Sequence, residues 1–79
     1  MFKKYKNRHN GEEVTAMLYN DITQFDSLKE LIGDIYPSIT PSLTRIYEKH
    51  WVIRHSDNTI SFICCKHGEN CFQKSFEEA

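Results

Sequence analysis

The stretch WVIRHSDNTISFICC, from Trp51 to Cys65, decides the fold. His50 to His55 gathers β-branched and aromatic residues, and Ser56-Asp57-Asn58 is turn chemistry. Thr59 to Cys65 then alternates, with Ile60, Phe62 and Cys64 on one face and Ser61, Ile63 and Cys65 on the other. Two such runs separated by a short polar turn predict a β-hairpin.

Working back from the hairpin, LTRIY (Leu43 to Tyr47) reads as further strand material, and PSITPSL (Pro37 to Leu43) as a loop broken by two prolines. FDSLKELIGDIY (Phe25 to Tyr36) places Phe25, Leu28, Leu31, Ile32 and Ile35 on one stripe at three- and four-residue spacing, which predicts an amphipathic helix. Thr23 and Asp26 supply a loose capping box, Gly33 a stop, and Pro37 a limit beyond which the helix does not run. EEVTAMLY (Glu12 to Tyr19) carries Val14, Ala16 and Leu18 on one face and Thr15, Met17 and Tyr19 on the other. Partly apolar on both faces, it reads as an interior strand. At the C-terminus CFQKSFE is ambiguous. Phe72, Lys74 and Phe76 alternate as in a strand, yet Phe72 and Phe76 also have helical spacing. The order predicts one small α+β domain over residues 1–79: an antiparallel sheet of four to five strands with one helix on one face. Trp51, beside two β-branched residues, is expected to be buried between that sheet and the helix stripe.

Composition narrows the function. With 39% hydrophobic and 13% aromatic residues the chain can build a small core. A net charge of −1 gives no global field toward nucleic acid or a membrane surface. It also leaves little electrostatic barrier to self-association. No apolar run approaches the roughly 20 residues of a membrane span, and MFKKYKNRHNGEE lacks the apolar core of a secretory signal. An odd cysteine count of three, with Cys64 and Cys65 adjacent, predicts reduced thiols in a cytoplasm.

Several pieces together resemble short phage and prophage proteins of the PGDYG type: KKYKNRHNGEEVTAMLY, LKELIGD, WVIR and FICCKHGENCFQKSFEE. The Pro-Gly-Asp that precedes the aromatic in that family is Glu48-Lys49-His50 here, so the turn it supplies must be made otherwise. The resemblance implies a bacteriophage origin, a host-cell cytoplasmic location and no assigned activity. It also implies that Cys65 lies at the end of a strand.

Three readings of function follow. The leading one is a small non-enzymatic accessory protein, without a cofactor, that binds and modulates a host or defence protein. Tyr5, Tyr36 and Tyr47 are its candidate contact residues, because aromatics anchor interfaces. The second is a nucleic-acid or nucleotide binder using Lys3, Lys4, Lys6 and Arg8, with Tyr5 interleaved for stacking. Against it, an ordinary solvated terminus or a lysine-protected edge strand explains the same residues. The third is a zinc-stabilised module holding the metal on Cys65, His67 and Cys71, with a fourth ligand from His50, His55 or His9, of which His55, on the partner strand of the hairpin, is the best candidate. The spacing matches no known zinc signature, and a free cysteine such as Cys64 ordinarily packs as a small apolar residue. Catalysis has no Gly-rich phosphate loop, no GxSxG and no Cys-x-x-Cys to support it.

Overall fold

The computed structural model describes residues 2–64 and 71–79. Among them, five strands form one antiparallel sheet: β1 (Lys3–Asn7), β2 (Glu13–Tyr19), β3 (His50–Arg54), β4 (Ile60–Cys64) and β5 (Phe76–Glu78). Their order across the sheet is β4-β3-β2-β1-β5. Helix α1 (Phe25–Ile32) covers one face, and the short helix α2 (Cys71–Ser75) covers the other. The fold is α+β, as the order of elements predicts.

Strand β2 lies at the centre, and its alternation feeds two separate cores. Met17 and Tyr19 pack with Leu28, Leu31, Ile32 and Val52 beneath α1. Val14 and Ala16 pack with Ile53, Phe72 and Phe76 on the opposite face. Pairing with β3 and β1 makes β2 interior, and the cover on both of its faces adds apolar burial that a chain this short needs.

The β3–β4 hairpin forms in the register Arg54↔Ile60, closed by the bond from the His55 amide to the Thr59 carbonyl at 2.8 Å. Asn58 takes the left-handed conformation at φ 67°, and its amide donates to the His55 carbonyl at 3.0 Å. This is a three-residue loop whose last residue is left-handed, a role asparagine tolerates.

Four expectations change. First, KKYKN is neither a loose terminus nor an edge: β1 pairs with β2 on one side and β5 on the other. The C-terminal FEE returns to cover the edge that the lysines would otherwise guard. Second, Leu43 to Tyr47 is not strand but the end of a 3-10 helix, Pro41–Tyr47, with proline in its first turn. Third, α1 stops at Ile32, and a turn carries the chain to Tyr36. Its N-cap is Gln24, with no side-chain cap bond; Asp21 instead caps a preceding 3-10 turn, accepting from the Thr23 amide and hydroxyl. Fourth, Trp51 packs on the face away from α1. Val52 points at the helix, so two-residue alternation sends Trp51 and Ile53 the other way. There the half-buried indole stacks on Phe72 with ring centres 3.9 Å apart, and Tyr5 meets both edge-on.

The ambiguous C-terminal segment is both things in turn. Cys71–Ser75 is helical, which points Phe72 at the sheet, and Phe76–Glu78 is strand.

The Glu48-Lys49-His50 turn is also resolved. Lys49 is left-handed at φ 62°, and its amide donates to the Tyr19 carbonyl at 2.6 Å.

Candidate functional site: an uncharged apolar groove

A groove of about 360 Å³ opens on the α1 face. Its walls are Ile32, Tyr36, Ser38, Ile39, Leu43, Ile46, Tyr47 and Phe62, none of them charged.

The 3-10 helix supplies one wall, and its geometry explains which residues show. With three residues per turn, Thr44 and Tyr47 fall on one ridge and Leu43 and Ile46 on the next. The inward ridge is fastened: Thr44 is fully buried, and Tyr47 stacks on Phe62 with ring centres 4.2 Å apart. The Thr44 hydroxyl donates to the Pro41 carbonyl at 2.7 Å and lies 2.7 Å from the Tyr19 hydroxyl. Since the threonine proton is committed to Pro41, the tyrosine is the donor in the second bond. A β2 side chain thus fixes the helix that carries the groove. The outward ridge is left in solvent, with Leu43 59% and Ile46 72% exposed, and across the groove Tyr36 is 48% exposed. These exposed apolar side chains gather around one groove, which makes it the candidate contact surface.

Of the candidate contact residues, Tyr36 and Tyr47 line this groove, whereas Tyr5 lies on the opposite face against Trp51 and Phe72. Leu43, Ile39, Ile46 and Phe62 were not legible as site residues. The signal for two of them was the three-residue spacing of Leu43 and Ile46 after a proline.

The four N-terminal cations are divided by strand alternation. Lys3 shares the α2 face with its partner Ala16, while Lys4 and Lys6 share the α1 face with Thr15 and Glu13. Lys3 approaches Glu78 at 3.6 Å. Arg8 approaches Glu77 at 3.9 Å and donates to the Gln73 carbonyl at 2.8 Å. They form no single basic stripe.

Both ring nitrogens of His55 have partners. Its Nδ1 lies 3.2 Å from Glu12 Oε1 and its Nε2 2.7 Å from Ser61 Oγ. The second Glu12 oxygen accepts from the Ser56 hydroxyl at 3.0 Å. These bonds hold the Glu12 carboxyl below its ordinary range, the His55 bond contributing most and the Ser56 bond next. Cys65 and His67 lie outside the described residues, as does the side chain of Cys71. Among the described residues, no group of three metal-ligating side chains comes together, and no helix is long and apolar enough to cross a membrane.

The order Ser61–His55–Glu12 is that of nucleophile, base and orienting acid. Ladder alternation from the His55–Thr59 bond commits the Ser61 amide to Ile53, so that amide is not free to bind an oxyanion. What the three residues do join is the turn before β2 to the β3–β4 hairpin.

Comparison of the chain with family models, with curated proteins and with solved structures returns no match.

Proposed function

We propose that this is a non-enzymatic binding protein that takes an apolar segment of another protein into the Tyr36–Ile46–Phe62 groove. The observation that carries the reading is the pair of outward residues Leu43 and Ile46, left in solvent by a helix whose inner ridge is firmly fastened. An uncharged groove favours a partner segment with large apolar side chains, since a charged or phosphate-bearing ligand would lose its hydration there without gaining a counter-charge. The resemblance to PGDYG-type phage proteins supports a host or defence protein as the partner, acting in the host cytoplasm. Binding there would block or redirect that partner.

The nucleic-acid reading is the weaker of the two. Strand alternation divides Lys3 from Lys4 and Lys6, and β5 brings acidic side chains to Lys3 and Arg8. The two readings part in a salt series. Capture of a host protein that tolerates salt, is lost in Ile46→Asp and Leu43→Ser, and survives Lys3, Lys4 and Lys6→Ala supports the groove. Retardation of DNA or RNA that falls steeply with salt and is abolished by the three lysine changes overturns it.

A further inference from the structure

We infer that the outer edge of β4 is a strand-pairing surface for a second copy of this chain. The two edges of the sheet are treated differently. At the β5 edge the strand is three residues long and two of them are Glu77 and Glu78, a short and charged edge of the kind that resists pairing. At the other edge β4 reads Ile-Ser-Phe-Ile-Cys, five residues with no charge and no proline, and no strand among the described residues lies beyond it.

The phase of the ladder decides what that edge offers. The His55–Thr59 bond makes Ile53↔Ser61 and Trp51↔Ile63 the hydrogen-bonded pairs of β3 and β4. The amides and carbonyls of Ile60, Phe62 and Cys64 therefore point outward. These three positions are symmetric about Phe62. An antiparallel second copy placed on a two-fold axis there sets Phe62 opposite Phe62, Ile60 opposite Cys64, and Ser61 opposite Ile63. Each pair with outward groups exchanges two hydrogen bonds, about six in all. No like charges meet, and a net charge of −1 per chain adds little repulsion. The contact is isologous and closes on itself, so it ends at a dimer with one continuous sheet. Residues paired across it share a face, so the apolar grooves lined by Phe62 lie on the same side of that sheet. The inference stands apart from what fills the groove.

The test is mass in solution together with one backbone change. The full chain is expected to sediment as a concentration-dependent dimer of twice 9.4 kDa. Mixed isotope-labelled copies are expected to show contacts between the Cα protons of Ser61 and Ile63 of different chains. Methylating the Phe62 amide by semi-synthesis removes the central outward donor and leaves every side chain in place. It should return the protein to a monomer with an unchanged circular dichroism spectrum. A 9.4 kDa monomer at every concentration, or a dimer without the Ser61–Ile63 contacts or indifferent to the methyl group, overturns the inference. Ile46→Asp in the capture assay tests the groove separately, since it leaves the β4 backbone untouched.

Discussion

Arg54 grips Asp34 through both terminal guanidinium nitrogens, Nη1 to Oδ1 at 2.7 Å and Nη2 to Oδ2 at 2.8 Å. The same Nη1 donates to the Leu31 carbonyl at 2.9 Å, and Nη2 to Asn58 Oδ1 at 3.0 Å. One side chain of β3 thereby takes an orphan carbonyl at the end of α1, the turn after it, and the hairpin loop. The hydrogen bond from Arg54 also holds the Asp34 carboxyl below its ordinary range. A lysine at this place keeps the charge but cannot present the planar fork. Arg54→Lys is expected to lower the thermal midpoint. A double-mutant cycle with Asp34→Asn should show the two changes to be non-additive. An Arg54→Lys protein that melts with the parent would show that charge alone suffices.

The Glu12–His55 clamp predicts a pH dependence whose sign follows from the depressed carboxyl. The folded state binds the Glu12 proton more weakly than the unfolded chain does, so the stabilisation is complete above the ordinary value of 4.5. It is lost as pH falls through the lower folded value. Asp21, Asp34 and Asp57 are shifted the same way and add to the effect. Urea midpoints measured from neutral to acid pH should fall in that window, less steeply in Glu12→Gln. Equal slopes for the two proteins would remove Glu12 from the account.

Tyr19→Phe tests how the groove is held. The variant leaves Thr44 Oγ1 without its donor in a fully buried setting, a loss of about 1 kcal/mol. Because that bond fastens the 3-10 helix, partner capture through Ile46 should weaken more than stability does. Unfolding and capture measured on the same preparation check this, and unchanged capture would separate the hydroxyl from the groove.

At Lys49 the backbone conformation favours glycine. A non-glycine residue in the left-handed region carries a penalty of roughly 1–2 kcal/mol, offset in part by the greater chain entropy that glycine loses on folding. Lys49→Gly should therefore be more stable than Lys49→Ala by about 1 kcal/mol, judged by denaturant midpoints at constant slope. An alanine variant as stable as the glycine one would contradict the φ of 62°.

Gly33 is needed for close approach and not for its conformation. A Cβ there would stand 2.3 Å from the Lys29 carbonyl oxygen, which is backbone and cannot step aside. Gly33→Ala is expected to cost about 1–3 kcal/mol by thermal or urea unfolding. A neutral substitution would mean the turn after α1 relaxes freely.

Much of the fold could be read along the chain because it rests on local periodicity. The two-sided alternation of Val14 to Tyr19 identified an interior strand. The Leu28, Leu31, Ile32 stripe identified the helix, and Ser56-Asp57-Asn58 identified the hairpin turn. Local pattern could not say which strand lies beside which. The pairing of Lys3–Asn7 with both β2 and β5 depends on chain ends brought together only in the folded state. Nor could it say which face of β3 meets α1, and so Trp51 was expected on the wrong side.

The candidate site was legible in its tyrosines and hidden in its aliphatics. An apolar residue in sequence is ordinarily core, and nothing local marks Leu43 and Ile46 as exposed. That outcome is tertiary: Tyr19 bonds Thr44 and Phe62 stacks on Tyr47, which turns one ridge of the 3-10 helix inward and forces the other out. By itself, then, the sequence determined the class of fold, the central strand, the main helix and the hairpin, because each repeats its pattern within a few residues. The tertiary structure alone decided the strand order, the division of the cations between two faces and the exposure of the groove, because each depends on contacts between residues far apart in the chain.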